Sequence, residues 1–257
     1  MSRLHGSQTN IQWSVNADKA NFEKKILEAN PDWEGGTITF YSPLKHDDYT
    51  EYKGSTFIKG RINKGPSFWE DMGVACPEDI KNGTFWPVRG ANWDALAVLT
   101  RKDGCKELLL FEAKAHLGEL IHGKDPEKWC TESRSIIMKS LSQTIGKYST
   151  KGHEAWLSAY QFSNRIAYAQ HLNECGIRTC IVYALYNNDR SFIDKAVPGN
   201  PMRNWKSELN KQYELLGIRE YQIQKLSSIY RVVELDSPTK EQLEGAGIEI
   251  EPSAYKF

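Results

Sequence analysis

This chain has no excess charge of either sign: 33 Lys and Arg balance 33 Asp and Glu over 257 residues. A neutral protein does not coat nucleic acid indiscriminately, although a local basic cleft stays open to it. A disulfide or zinc framework is missing too. The five cysteines, Cys76, Cys105, Cys130, Cys175 and Cys180, include no C-x-x-C pair and read as free thiols in a reducing cytoplasm. No histidine is assigned a metal-binding role. No run of about 18 apolar residues exists, so no membrane span is expected. The first eight residues lack the apolar stretch of a signal peptide, and the expectation is a soluble cytoplasmic protein. The phosphate-binding P-loop, the dinucleotide glycine fingerprint, the His-Glu-x-x-His helix and the hydrolase nucleophile elbow are all absent. A nucleotide-driven motor, a dinucleotide enzyme, a zincin and an α/β-hydrolase are therefore poorly supported.

What is present is an alternation of helical and strand patterns with abundant Trp (8) and Tyr (12). Helical spacing covers 18–29, and the β-branched, aromatic stretch 37–41 is a strand bounded by glycines and Pro43. A short capped helix is expected over 47–58, then loops from 59 to 89 around a short helix at 68–72. Residues 95–101 and 107–115 form a hairpin around Asp103-Gly104. Helices follow at 133–148 and 154–174, a nearly continuous apolar strand at 179–186, a helix at 205–216 and a strand at 230–235. No repeat or long linker separates these elements, so residues 1–257 read as one α/β domain with a mixed central β-sheet flanked by helices.

Chemistry concentrates in residues 92–116. Asp94, Glu112 and Lys114 sit at the ends of apolar strands, where burial costs free energy unless the charges are paired or hold a metal. Strand alternation puts Glu112, Lys114 and His116 on one face. Asp94 joins them only in one register. A two-residue Asp103-Gly104 turn sets Asp94 opposite Ala113, on the wrong face. A three-residue loop with left-handed Gly104 pairs Asp94 with Glu112. Convergence of the charges therefore requires a bulged turn at Gly104 or a bulge elsewhere in the hairpin. If they converge, two carboxylates and the Ala113 carbonyl suit Mg²⁺, or Mn²⁺, as hard oxygen ligands. Lys114 is then placed to orient a water or stabilise charge on a phosphoryl group. By itself Glu-x-Lys is weak, since about one such triplet arises by chance in a chain this long; the apolar run before it raises its weight. Repulsion between Asp94 and Glu112 leads to the expectation that Glu112→Ala stabilises the metal-free fold.

Trp93-Asp94 and Glu112-Ala113-Lys114 resemble the motif elements of the PD-(D/E)xK nuclease-like superfamily, with Trp in place of the proline of the name. The resemblance spans about residues 37–190. It implies a restriction-endonuclease-like three-layer fold and a divalent-metal-dependent phosphodiesterase acting on DNA or, less often, RNA. Asp94 and Glu112 carry over as metal ligands and Lys114 as the catalytic lysine. A further Glu that many members place on the helix before the first core strand maps best to Glu51, with Glu70 in reserve. The superfamily often sets a Gln or Tyr on a later helix near the site. Here Gln161, Asn164, Arg165 and Tyr168 form one stripe at helical spacing, for which the competing reading is a solvated helix face. The basic residues Lys59, Arg61, Lys64, Lys81 and Arg89, with Trp69, Phe85 and Trp86 as stacking surfaces, outline a candidate nucleic-acid groove, although exposed loops are commonly basic. A homodimer is left open, as is the choice between endo- and exonuclease. The competing functional class is a nuclease-fold module that binds nucleic acid or protein without turnover.

Overall fold

Strand alternation generates two separate apolar layers on either side of one sheet. The computed structural model describes residues 6–120, 123, 125, 128–189 and 205–248. Among these, β1 (Thr37–Ser42), β4 (Ala95–Thr100), β5 (Lys106–Lys114), β6 (Thr179–Asn187) and β7 (Tyr230–Asp236) form a mixed sheet in the order β1-β4-β5-β6-β7. β1, β4 and β5 pair antiparallel, while β6 and β7 add parallel to β5. β2 (Tyr52–Lys53) and β3 (Asn92–Trp93) make a separate ribbon in which Tyr52 pairs with Trp93.

Odd-numbered side chains of β4 and β5, including Ala95, Ala97, Phe111 and Ala113, pack with Ile11, Val15, Phe22 and Ile26 from α1 (Ser7–Asn16) and α2 (Lys19–Glu28). Even-numbered ones, Leu96, Val98, Leu108 and Leu110, pack on the opposite layer with Leu141 of α6 (Thr131–Tyr148) and Phe162 and Ile166 of α8 (Tyr160–Glu174). Each Val, Leu, Ile or Phe among them, fully withdrawn from water, contributes about 1.5–3 kcal/mol. The remaining helices are α3 (Gly54–Lys59), α4 (Phe68–Met72), α5 (Glu78–Lys81), α7 (His153–Ser158), α9 (Trp205–Leu216), α10 (Glu220–Leu226) and α11 (Lys240–Gly245). No helix of the described residues is long and apolar enough to cross a membrane, and all five cysteines are free thiols.

Several local expectations are corrected. Residues 47–58 are not one helix: Asp48 and Tyr49 adopt left-handed backbone (φ 51° and 53°), which ends a 3₁₀ turn at Lys45–Asp47 and frees Tyr52 to pair in β2. The expected long helix 154–174 breaks at Ala159 into α7 and α8. There Ser158 Oγ donates to the Ala155 carbonyl at 2.7 Å and Ser163 Oγ to the Trp156 carbonyl at 2.6 Å, so serine hydroxyls compete for helix carbonyls at the junction. Helix α1 escaped notice because its buried face carries Thr9, Asn10, Gln12 and Ser14 beside Ile11 and Val15, and so shows no apolar stripe.

Candidate active site

The hairpin joining β4 and β5 closes through the bulged alternative. The Arg101 amide donates to the Cys105 carbonyl, and the Gly104 amide to that of Arg101, both at 2.9 Å. This leaves Lys102, Asp103 and Gly104 in the loop. Gly104 has φ +79°, a conformation that a side chain strains. The last laddered pair is Ala95 with Phe111, so Asp94, one residue back, arrives beside Glu112 on the face packed against α8.

Asp94 sits at a bend between β3 and β4 and keeps one edge toward solvent. Its amide donates to the Phe111 carbonyl at 3.2 Å, and its Oδ2 accepts the amide of Ala113 at 2.7 Å. Main-chain groups alternate along β5: even residues address β6, as the Leu108 amide shows by donating to the Arg178 carbonyl. The Ala113 carbonyl therefore faces the opposite edge, where β4 has turned away at Asp94.

Glu112 and Lys114 are 1% and 4% exposed, so their charges must be answered by neighbours. Lys114 Nζ donates to Glu112 Oε1 at 2.5 Å and to Gln161 Oε1 at 2.9 Å. Arg165 places Nε and Nη2 on Glu112 Oε2, each at 2.7 Å, and Nη1 on Asn164 Oδ1 at 2.6 Å. Its guanidinium lies over the Trp93 ring, 4.8 Å from the centroid, so the residue preceding Asp94 supports the cation that holds Glu112. Tyr168 packs edge-on against Trp93 at 5.5 Å. The Gln161–Asn164–Arg165–Tyr168 stripe thus faces the charged hairpin rather than solvent.

Glu51 lies on no helix, being one residue before β2, because the left-handed pair at Asp48 and Tyr49 ended helical geometry. It is nevertheless part of the same electrostatic cluster. Burial pushes its carboxyl up and the Glu112 charge adds to this, against a hydrogen bond from Gln8 Nε2 at 3.0 Å. Glu70 does not join. It is largely exposed and pairs with Arg61 at 2.5 Å. The stacking surfaces proposed from sequence are also corrected: Trp69, Phe85 and Trp86 are buried in the core and present no face to a base. Gln8, which orients Glu51, was missed by sequence reasoning; a polar residue 43 positions away in the chain carries no signal of that contact.

Among these five groups, Asp94, Glu112 and Glu51 face Lys114 and Arg165, leaving one negative charge in excess. A proton on Asp94 relieves it: burial and repulsion from Glu112 push that carboxyl up to about 8, with Lys114 opposing. Burial also acts to raise Glu112, but the Arg165 and Lys114 charges outweigh it and hold that carboxyl below its usual range. The two carboxylates therefore sit in opposite protonation regimes. A divalent cation bound to the hard oxygens of Asp94, Glu112 and the Ala113 carbonyl would take the place of that proton. The three carboxylates do not close on a single point: among the described residues, the group with ligand atoms within 4.8 Å of one another is Asp79, His171 and Cys175.

A pH dependence follows. Between about pH 4 and pH 8 the folded chain keeps the Asp94 proton that the unfolded chain has lost, so stability falls as pH rises through that window. Glu112, lowered in the fold, contributes stability above its unfolded pKa and loses it only in more acidic solution. In EDTA, the thermal midpoint of Asp94→Asn is expected to gain on wild type from pH 5 to pH 8. Parallel curves over that range would show that Asp94 ionises freely.

No family model matches the chain, and no curated protein or solved structure does so.

Proposed function

We propose that this protein is a divalent-metal-dependent nuclease with a restriction-endonuclease-like fold, hydrolysing phosphodiester bonds in DNA or, less often, RNA. The observation that carries the reading is the convergence on one face of Asp94, Glu112 and Lys114, achieved through the bulged loop at Gly104. The mixed order of the sheet, with the charged hairpin at its centre and helices on both faces, supports it. Asp94, Glu112 and the Ala113 carbonyl would hold Mg²⁺ or Mn²⁺, with Glu51 beside them. Such a cation, when bound, polarises a phosphoryl oxygen and lowers the pKa of a bound water. Lys114, fixed by Gln161 and Glu112, orients the attacking water and offers positive charge to the developing phosphorane. Arg165 keeps Glu112 ionised and in place.

A second reading rests on a specific observation. Both oxygens of Glu112 are already engaged by Lys114 and Arg165, as in a charge cluster that stabilises a module without turnover. The readings part on metal binding. Titration of Mg²⁺ or Mn²⁺ near neutral pH is expected to give saturable heat in wild type that Asp94→Asn removes. Wild type without saturable heat would leave the structural cluster as the correct account.

A further inference from the structure

On the far end of α8 a second set of ligand atoms converges. His171 and Cys175 stand one helical turn apart, a spacing that brings side chains together on one face, and Asp79 approaches them from α5. We propose that Asp79, His171 and Cys175 form a second metal site, for a borderline-soft divalent cation of the zinc class, independent of the nuclease reading.

The geometry is that of shared ligation rather than of a proton relay. His171 Nε2 lies 2.9 Å from Asp79 Oδ2 and 3.7 Å from Cys175 Sγ. A nucleophilic relay sets its acid and its nucleophile on opposite ring nitrogens; here both address the same one. Tetrahedral Zn²⁺ at its usual bond lengths separates a nitrogen from a sulfur ligand by about 3.6 Å and a nitrogen from an oxygen by about 3.3 Å. The His171–Cys175 distance already fits, and the ion pair with Asp79 opens by roughly 0.4 Å to admit the cation. The other oxygen of Asp79, Oδ1, is buried and accepts no hydrogen bond from the described residues, so that carboxylate has capacity in reserve. Phe85 stacks on the imidazole at 3.8 Å with planes 7° apart, which fixes the ring's orientation.

Cys175 is exposed, giving entry and a fourth position for water. Thiolate and imidazole donors favour zinc-class ions over Mg²⁺, so the two sites of this chain would sort metals by chemistry. Binding releases the thiol proton to solvent as the Cys175 sulfur becomes a ligand. The consequence is structural: the cation would fasten α5 to α8, behind Phe85 and Tyr168, whose rings meet edge-on at 5.2 Å.

The test is Co²⁺ titration of the full chain in excess Mg²⁺, read by the absorbance of thiolate-to-cobalt charge transfer. Wild type is expected to bind one Co²⁺ with that band, and Zn²⁺ to displace it. Cys175→Ser loses the band, and Asp79→Asn weakens binding by at least about tenfold, the loss that even the outer partners of metal ligands show on mutation. Cys130→Ser and Asp94→Asn keep it unchanged. Cys175 is exposed, and a melting curve checks that its variant folds. Wild type without the band, or a band that survives Cys175→Ser, would overturn the proposal.

Discussion

Arg165→Ala is expected to cost the metal-free fold about 3–5 kcal/mol, the range for removing one partner of a buried ion pair. Arg165 is 4% exposed. It supplies a hydrogen bond and a second ion-pair contact to Glu112 Oε2, a hydrogen bond to Asn164, and the cation over Trp93. Its removal leaves one Glu112 oxygen buried without a donor and opens space against Trp93. Arg165→Lys recovers little, because a single ammonium cannot reproduce the planar fork. Urea denaturation checks this: the midpoint falls while the slope stays constant. A loss under about 1 kcal/mol, the scale of a solvated pair, would show that Glu112 is not buried as described. The same geometry reverses the expectation that Glu112→Ala stabilises the metal-free chain. That variant strands Lys114 and Arg165 together, so it destabilises; Asp94 is the carboxylate whose neutralisation helps.

Lys114→Ala is expected to leave the chain folded, since Arg165 still answers Glu112, and to lower phosphodiester cleavage by about 10²–10⁴-fold. The lower part of that range is the cost of removing one preorganised donor to developing charge, the upper part that of a group that also positions the attacking water for proton transfer. Initial rates on labelled DNA and RNA, alongside binding of the same substrates, measure it. The proposal requires the rate to fall while binding changes little. A variant that cuts as fast as wild type would remove Lys114 from the chemistry.

Much of this site was legible before any coordinates. The period-two pattern of β5 placed Glu112 and Lys114 on one face. The two hairpin registers reduced the position of Asp94 to the length of the loop at Gly104, which the pairing of Arg101 with Cys105 then decided. The stripe from Gln161 to Tyr168 was legible as a face, but not what it faced; Arg165 reaches Glu112 across 53 residues of chain. Glu51 was named for the wrong reason, as a helical residue, because nothing local in Asp47-Asp48-Tyr49 announces two left-handed residues in succession. Lys114, on the same face of β5, was a legible partner for Glu112; that Arg165 answers the other oxygen was not, since charge balance in a buried cluster depends on tertiary neighbours. For the same reason His171 and Cys175 passed as ordinary: their spacing of four gains meaning only when Asp79 arrives from another element.

The most direct test of the nuclease proposal is cleavage of single- and double-stranded DNA and RNA by the wild-type chain, with Mg²⁺ or Mn²⁺ and with EDTA. The account predicts cleavage of at least one substrate that depends on the metal, is abolished in Asp94→Asn and is strongly reduced in Lys114→Ala. Wild type and Lys114→Ala equally inert on every substrate and in either metal would contradict it.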